Sequence, residues 1–463
     1  MATVVGAGLA LWGLAVGLGR LGDNSFLTQL ATGRLILDHG IPRRDPFSFT
    51  AGGEPWTVYS WLPSAGVALL DRIGGGTAIQ AARAVLTTTL ALLAWRLSRP
   101  AGALAGRLLA VVVVLVVGSS SWPERPLLVA LVLFAVLVWM VERGRGPVWP
   151  VVPLFWLWVN AHGSFPFGLA YVVARLAGRR LDRSPPGRLP RLAGTAVVGI
   201  LAGGLNPLGP ELIVFPLRLL GRHELLSRVV EWRPADFSDP VHLAFLVAFV
   251  AALVLAGRRR SWEDTVPVAV FGLAGCVAQR NLALASIVLV PALARSLTGL
   301  GSIRGDQRSG LTVVGGAAVV AVGAALTVSA LAGPAYDLSI YPTAPLRWME
   351  ARGLLERRVA AQDFVGNLIV ARRGERARVF FDDRYDLYPA EVIEDYLGLL
   401  DGREGWQRRL DRYRIDVVLW QRSRPLAGLL ALDPGWDVVR RDRGWIVAVR
   451  AVRAPSPAGA SGP

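Results

Sequence analysis

Long apolar stretches alternate with short polar gaps from the start of the chain to Ala332. A helix needs roughly 20 mostly apolar residues to cross a membrane, so the pattern predicts about eleven spanning helices. The stretches are Val4–Gly19, Pro63–Trp95, Leu104–Ser120, Leu127–Val141, Trp149–Val159, Phe165–Leu176, Leu192–Leu205, Val241–Ala256, Thr265–Ala278, Asn281–Leu297 and Leu311–Ala332. The second stretch is too long for one crossing, and Gly74 to Gly76 predict a break within it.

Arginines cluster in every second gap between these stretches. They are Arg96, Arg99, Arg107, Arg143, Arg145, Arg175, Arg179, Arg180, Arg183, Arg188, Arg191, Arg258 to Arg260, Arg295, Arg304 and Arg308. Positively charged loops remain in the cytoplasm, so the N-terminus is predicted inside and the other loops outside. Residues 1–333 are expected to form a membrane domain with long external loops at 20–62 and 206–240. The first stretch has no convincing cleavage site and is interpreted as a retained helix.

The pattern changes after Ala332, where charged residues separate short apolar runs. Residues 334–452 are predicted to form a small extracytoplasmic α/β domain, followed by a disordered tail at 453–463. Its predicted strands are Ala377–Phe381, Ile415–Gln421, Trp436–Val439 and Trp445–Arg450, and its predicted helices are Pro389–Leu400 and Trp406–Tyr413. The first of these strands is expected to be central. The predicted fold class is mainly α, with a polytopic helical membrane domain followed by this α/β domain.

The composition agrees with a multispanning membrane protein. The chain has 463 residues, is 53% hydrophobic and has a mean hydropathy of +0.44, values that soluble domains rarely reach. The net charge of +16 comes from arginine alone, because the chain has no lysine. Most of that charge lies in loops that orient helices, so it indicates membrane lipids and no nucleic acid as partner. The arginine-rich, lysine-free composition is typical of a bacterial protein and predicts the cytoplasmic (plasma) membrane.

Three acidic residues in the predicted external loops are candidates for acid–base catalysis. Asp23 follows the first helix, at the boundary of membrane and water, where a carboxylate can take a proton from an incoming hydroxyl. It would equally serve as the N-cap of a following helix. Asp45 precedes a proline and would equally begin a turn. Glu231 precedes Trp232, a pair that suits a sugar hydroxyl and a sugar face.

Three basic residues in these loops are candidates for binding a phosphate at the outer face, namely Arg125, His162 and Arg280. Each has an alternative interpretation. Arg125 could pair with the adjacent Glu124, Arg280 could extend to the interface without a ligand, and His162 could be a hydrogen-bonded turn residue.

Aromatic and charged residues provide candidates for binding a sugar or an acceptor. They are Trp56, Trp61, Trp232, Asp383 and Arg384. The tryptophans could instead belong to an interfacial aromatic belt, and the Asp383–Arg384 region could form a salt bridge inside its own domain. No compact set of histidines and carboxylates predicts a metal site, and a divalent cation stays an open candidate.

Several of these motifs together resemble bacterial membrane proteins related to the GT-C glycosyltransferases. They are the acidic residue after the first helix and the segments Ala31–Trp56, Trp158–Gly163, Leu205–Gly209, Glu231–Trp232, Gln279–Asn281 and Phe381–Pro389. The resemblance implies a sugar donor linked to polyprenyl phosphate and an extracytoplasmic acceptor, either a cell-envelope glycan or a protein. It also implies that Asp23 activates the acceptor. Two positions depart from the pattern: Asn24 replaces a second acidic residue, and Gln29 stands where similar sequences carry histidine.

Three functions are compatible with these residues. The first is an inverting glycosyltransferase that uses a lipid-linked donor at the outer face. The second is a flippase or transporter, for which charges at the bilayer midplane and a repeated half are expected. The third is a scaffold that has kept the fold without the chemistry, as Asn24 and Gln29 suggest. The polar residues at the outer helix ends favour the first.

Overall fold

The computed structural model describes residues 2–221, 230–298 and 309–451. The predicted tail at 453–463, Arg304, Arg308 and part of the predicted loop 206–240 lie outside the described residues. The chain divides into two compact units. We call Met1–Asp23 with Tyr59–Asp337 the helical unit. We call Asn24–Val58 with the described residues from Leu338 onward the mixed unit.

The described residues form a mainly helical protein with one small sheet. Its α-helices, in chain order, are α1 Ala2–Leu18, α2 Asn24–His39, α3 Trp61–Leu97, α4 Leu104–Val116, α5 Pro126–Glu142, α6 Val151–Ala161, α7 Phe165–Leu181, α8 Leu189–Ala202, α9 Glu211–Leu220, α10 Pro240–Arg258, α11 Trp262–Val277, α12 Leu282–Ser296, α13 Ser309–Ala332, α14 Thr343–Glu350, α15 Asp363–Arg373, α16 Ala390–Leu400, α17 Trp406–Arg412 and α18 Pro425–Leu432. Each of the eleven apolar stretches coincides with a helix.

Helix length separates these apolar helices into two groups. Within the described residues, three segments are long and apolar enough to cross a membrane, namely Trp61–Ala101, Leu104–Ser121 and Pro240–Arg258. Shorter apolar helices occupy Ala2–Leu18, Pro126–Glu142, Val151–Ala161, Leu189–Ala202 and Val314–Ala330. The long helix α3 is interrupted at Gly74 and Gly75, where Gly75 has a φ of 58°. This break confirms the one that the glycines predicted.

Buried charges join four helix ends of the helical unit. Arg175 of α7 donates to Asp264 of α11 at 3.0 Å, and Arg295 of α12 donates to the same carboxylate through Nε at 2.9 Å. Glu142 at the end of α5 contacts Arg295 and accepts a hydrogen bond from Tyr171 at 2.7 Å. Because one carboxylate serves two guanidiniums, these side chains stabilise one another as a network. Glu142, Asp264 and Arg295 lie in the last or first turn of their helices, and Arg175 lies six residues before the end of α7.

The mixed unit contains a four-stranded sheet in the order β1-β2-β4-β3. Its strands are β1 Val359–Ala361, β2 Val417–Gln421, β3 Trp436–Asp442 and β4 Trp445–Arg450. The first two strands pair in parallel, and the hairpin partners pair antiparallel. The predicted hairpin and the predicted β2 are therefore confirmed. The structure also contains β1, α14, α15 and α18, which the sequence analysis did not predict.

The expectation of a central strand at Ala377–Phe381 is wrong. This segment makes only single bridges, from Val379 to Val359 and to Ser48, whereas β2 and β4 occupy the centre of the sheet. The first four residues of β2 are fully buried, as a central strand covered on both faces requires. The segment 377–381 instead lies beyond the short edge strand β1.

Candidate functional site

The candidate site of the helical unit is built around Arg125, which immediately precedes α5. Its Nε atom donates to Asp23 Oδ2 at 2.6 Å, and its Nη1 atom contacts the carboxylate of Glu231. The Asp23 side chain is 6% exposed, whereas that of Glu231 is 49% exposed. Burial lowers the pKa of Arg125, but the two carboxylates outweigh burial and raise it. We call Asp23, Arg125 and Glu231 the Arg125 cluster.

Glu124 does not pair with Arg125, contrary to one interpretation of the sequence. Its Oε1 atom accepts a hydrogen bond from the Asp23 backbone N–H at 2.9 Å, and its Oε2 atom contacts Arg83 of α3. Two consecutive residues therefore contact Asp23, one at its backbone and one at its side chain. The Asp23 carboxylate contacts Arg125, and the alternative that Asp23 also caps α2 stays a prediction.

Arg280 lies in a short turn between α11 and α12 and is stacked on Trp232. The guanidinium carbon is 4.2 Å from the centre of the Trp232 ring, a cation–π contact. Backbone hydrogen bonds from Gln279 to Arg233 at 3.0 Å and from Ala235 to Cys276 at 3.0 Å hold the two loops together. Among the described residues, no carboxylate forms an ion pair with Arg280. This cation is therefore available to an anionic ligand.

Arg280 lies close enough to the Arg125 cluster for their charges to interact. Burial lowers the pKa of the Arg280 guanidinium, Tyr59 and Glu231 act in the opposite direction, and Arg125 adds to the lowering. An arginine stays charged despite such a shift. The structure thus brings together the predicted residues Asp23, Glu231, Arg125, Arg280 and Trp232 in the helical unit.

His162 follows α6 and makes the contacts of a turn residue. The backbone N–H of Ser164 donates to His162 Nδ1 at 3.2 Å, and Ser164 Oγ lies 2.9 Å from the same atom. Burial lowers the pKa of His162 to about 3, and the charge of Arg280 adds to this effect. The imidazole is therefore neutral at neutral pH, where it can offer a phosphate an N–H but no charge, and the contact of His162 with the donor phosphate stays a prediction.

Tyr59 is a site residue that the sequence analysis missed. Its ring stacks on Phe215 of α9, with centroids 4.6 Å apart, and meets His162 edge-on at 6.4 Å. It also interacts electrostatically with Arg280. Trp61 begins α3, and its Nε1 atom donates to Asn160 at 3.0 Å, which fixes that ring in place. Tyr59 could have been predicted, because it is an aromatic residue that lies in the sequence between Trp56 and Trp61, two predicted site residues.

Three other predicted site residues meet inside the mixed unit. Arg384 donates to Asp382 through Nε at 2.9 Å and through Nη2 at 2.6 Å, and it forms an ion pair with Asp45 at 2.8 Å. Its guanidinium carbon lies 4.5 Å from the centre of the buried Trp56 ring. The carboxylate side chains are 0% exposed. We call Asp45, Asp382 and Arg384 the Arg384 cluster.

The Arg384 cluster corrects three predictions. Asp45 accepts hydrogen bonds from the backbone N–H groups of Phe47 and Ser48 at 3.0 and 3.1 Å, as a turn residue does. With these contacts and its arginine partner, the Asp45 side chain is fully buried and has the environment of a structural turn residue. Trp56 and Arg384 are covered, so neither presents a face to a sugar.

Asp383 lies beside this cluster in a different environment. Its backbone N–H donates to Asn367 at 3.1 Å, while its Oδ1 atom is buried without a hydrogen-bond partner among the described residues. Burial and the charge of Asp382 raise the pKa of Asp383 to about 7, against the hydroxyls of Ser25 and Thr28. The side chain is a titratable group of the mixed unit, and the binding of an acceptor by Asp383 stays a prediction.

The described residues contain no group of three or more histidine, cysteine, aspartate or glutamate side chains that could hold a metal ion. In the Arg125 cluster, the space between the two carboxylates is taken by the guanidinium.

Comparison with known proteins identifies the fold. No protein-family model matches the chain, and no curated protein matches it. The structure is similar to that of the archaeal oligosaccharyltransferase AglB from Archaeoglobus fulgidus, solved in complex with an inhibitory peptide and a dolichol-phosphate. The TM-score is 0.51 at 13% sequence identity, and the match covers 90% of this chain and 69% of that chain. AglB is a member of the GT-C superfamily, so the predicted GT-C-like fold is confirmed.

Proposed function

We propose that this protein is a membrane glycosyltransferase that transfers a sugar from a polyprenyl-phosphate donor to an extracytoplasmic acceptor. The observation that carries the proposal is the convergence of Asp23 and Glu231 on Arg125, beside the cation Arg280. A carboxylate that accepts a proton and a guanidinium that binds a phosphate are the two groups that this reaction requires. The AglB complex, which holds a dolichol-phosphate and a peptide, supports a lipid-linked donor and a cell-envelope glycan or protein as acceptor.

The reaction assigns a role to each member of the cluster. The donor phosphate binds Arg280 and Arg125, and this binding draws Arg125 away from Asp23. Since a neighbouring guanidinium makes a carboxylate a weaker base, losing that partner makes Asp23 a better one. Asp23 then takes the proton of the acceptor hydroxyl or amide while the acceptor atom bonds to the anomeric carbon. The bond from that carbon to the phosphate oxygen breaks, and polyprenyl phosphate leaves with the electron pair.

Glu231 and Trp232 complete the arrangement. Glu231 is half-exposed, so its carboxylate can exchange Arg125 for a hydroxyl of the incoming sugar. Trp232 holds the Arg280 guanidinium against its ring and so directs the cation at the phosphate. These two residues therefore contribute to donor binding, and Asp23 contributes to the chemical step.

The proposal includes a membrane arrangement. About eleven helices cross the bacterial plasma membrane, the N-terminus is cytoplasmic, and the α/β domain of residues 334–452 is extracytoplasmic. Cysteines at Ser238 and Ser423, both exposed, are expected to react with an impermeant reagent added from outside. A cysteine at the exposed Ser184 is expected to stay unlabelled. Ser164 is unsuitable for labelling, because it is buried and hydrogen-bonded to His162. The reverse pattern would place the cluster in the cytoplasm and remove the proposal.

The direct test is transfer by the wild-type protein in sealed vesicles. Radiolabelled polyprenyl-phosphate sugars would be supplied with peptide or glycan acceptors, and labelled product would be measured. We expect transfer from at least one donor and competition by sugar-free polyprenyl phosphate. Absence of both transfer and polyprenyl-phosphate binding would contradict the proposal.

A scaffold without catalysis is a second candidate, and one observation favours it. Both carboxylates of the cluster already contact Arg125, an arrangement that a protein could keep for packing alone. The same vesicle experiment separates the two functions. A scaffold binds the lipid-linked sugar and gives no product with any acceptor, whereas the proposed enzyme gives product.

A further inference from the structure

Arg83 and Glu124 form a buried ion pair next to the Arg125 cluster, and the reaction proposed above uses neither residue. Their side chains are 7% and 3% exposed. Replacing a buried ion pair with apolar residues is often neutral for stability, so such a pair is weak evidence for a stabilising role. The contacts of Arg83 and Glu124 with the chain around Asp23 indicate a different role.

Close packing of α1 on α3 brings Arg83 to the end of α1. A Cβ atom on Gly17 would lie 2.2 Å from Ala84 Cα, and one on Gly13 would lie 2.8 Å from the Thr87 carbonyl oxygen. Only glycine permits these backbone approaches. The Thr87 hydroxyl donates to the Gly13 carbonyl at 2.7 Å across the same interface.

Arg83 binds the carbonyl groups that end α1. Its Nε atom donates to the Gly17 carbonyl at 2.9 Å, and its Nη2 atom contacts the Gly19 carbonyl. Gln80, one turn earlier, donates to the Gly19 carbonyl at 3.0 Å. The last carbonyls of a helix lack partners within the helix, so these side chains fix the direction in which the chain leaves α1.

The chain leaving α1 is held again at Leu21. Its N–H donates to the Ala335 carbonyl at 2.8 Å, and its carbonyl accepts from Asp337 at 2.8 Å. Glu124 then accepts from the Asp23 backbone N–H, while Arg125 binds the Asp23 carboxylate. Arg83 holds Glu124 by its second oxygen. Asp23 is therefore fixed along the whole path from α1 to its own carboxylate.

We infer that Arg83 and Glu124 are positioning residues that hold Asp23 at the donor phosphate site. This inference rests on the proposed function, because it gives the pair a role in that reaction. A catalytic group displaced by about 1 Å can lose about 100-fold in rate. Removing the pair is therefore expected to lower the transfer rate without weakening donor binding.

The test compares three proteins. Arg83→Met with Glu124→Leu removes both charges together, so no unpaired charge stays buried. Glu124→Gln keeps an oxygen that can accept from the Asp23 N–H. Thr87→Val is the matched control, because it removes a hydrogen bond of the same helix interface that does not reach Asp23.

We expect the double variant to transfer sugar about 10- to 100-fold more slowly, with an unchanged KM for the donor. We expect Glu124→Gln to transfer sugar faster than the double variant and more slowly than the wild type. We expect Thr87→Val to transfer at the wild-type rate. A folded double variant with the wild-type rate would overturn the inference, and so would equal losses in the double variant and the control.

A second readout does not depend on activity. Asp23→Cys would be introduced into the protein with and without the Arg83→Met and Glu124→Leu changes, and its reaction with an impermeant maleimide would be timed. We expect slow labelling when the pair is present, because position 23 is 6% exposed, and faster labelling when it is absent. Equal rates would overturn the inference. If the wild-type protein transfers no sugar but removing the pair still speeds labelling, the pair positions Asp23 and the proposed function is rejected.

Discussion

The two units contain clusters of one arginine and two carboxylates that differ in exposure. Trp56 lies beneath the guanidinium of Arg384 itself, whereas Trp232 lies beneath Arg280, beside the Arg125 cluster. In the Arg384 cluster, the arginine is 8% exposed and both acids are 0% exposed. In the Arg125 cluster, the arginine is 27% exposed and Glu231 is 49% exposed. Composition alone therefore cannot separate a binding site from a structural ion pair, whereas access to solvent can.

The difference in burial predicts a difference in behaviour. The Arg384 side chain donates to two acids that are fully buried, so giving up these bonds for a ligand would leave buried charges unpaired. The ion pair between Arg125 and Glu231 can break so that each binds a ligand, because a solvent-accessible ion pair contributes little net free energy. Arg280 adds a cation that has no acidic partner among the described residues. These differences favour a structural role for the Arg384 cluster and support the role proposed for the Arg125 cluster.

The largest expected effect on stability is that of Arg384→Met. This change leaves Asp45 and Asp382 buried without a counter-charge and should lower the free energy of unfolding by about 3 to 5 kcal/mol. Arg125→Met is the comparison and should cost less, because it leaves only one buried acid, Asp23, without a counter-charge, while Glu231 is half-exposed. Thermal unfolding followed by tryptophan fluorescence would measure both. Equal losses would show that burial does not distinguish the two clusters.

A smaller effect is expected from Arg280→Ala. Loss of a charge-assisted contact should weaken binding of polyprenyl phosphate by about 10- to 100-fold. Arg280→Lys should keep part of the affinity. Arg218→Ala is the control, since Arg218 is exposed on α9 and already paired with Glu211 at 3.2 Å. Binding would be measured by titration in nanodiscs, and unchanged affinity in Arg280→Ala would remove this residue from the phosphate site.

The smallest effect concerns Asp383, whose pKa is raised to about 7 from an ordinary value of 3.8. The folded state therefore holds a proton that the unfolded state releases between about pH 4 and pH 7. The stability from this group is complete below pH 4 and is lost as the pH rises toward 7. Asp383→Asn should flatten this dependence and make the protein more stable at pH 8. An unchanged slope of unfolding free energy against pH would contradict the shift.

Local sequence patterns predicted the helices well. All eleven apolar stretches are helical, because a long apolar run with polar ends determines a helix without reference to distant residues. The break at Gly74 and Gly75 and the hairpin ending at Arg450 followed from equally local signals. The small strand β1 did not, because three residues are too few to show a period.

Contacts between distant residues could not be predicted in this way. Segment 24–58 was interpreted as a loop of the membrane domain, yet the structure groups it with the C-terminal residues. Ser48 pairs with Val379, and Asp45 with Arg384, across more than three hundred residues. Arg175 was similarly assigned to a solvated loop, whereas its side chain is 6% exposed and paired with Asp264. Burial of a charge depends on partners that no local window contains.

The Arg125 cluster was predicted residue by residue but not as a cluster. Asp23 was indicated by its position after the first helix and Glu231 by its neighbour Trp232. Arg125 and Arg280 were indicated by their places in predicted external loops. The pairing of Glu124 with Arg83 could not be predicted, because two adjacent opposite charges suggest a pair with each other and Arg83 lies far away in the sequence. The same local reasoning selected Asp45, whose environment only the folded mixed unit reveals.

One paired measurement tests the central claim most directly: sugar transfer and thermal stability of Asp23→Asn beside Asp45→Asn. Asn keeps the size of the side chain and removes its capacity to take a proton. We predict that Asp23→Asn lowers the transfer rate by about 10²- to 10⁴-fold with an unchanged unfolding temperature. Asp45→Asn should lower the unfolding temperature and leave the rate per folded molecule unchanged. Transfer by Asp23→Asn at the wild-type rate, or a catalytic loss confined to Asp45→Asn, would contradict the account.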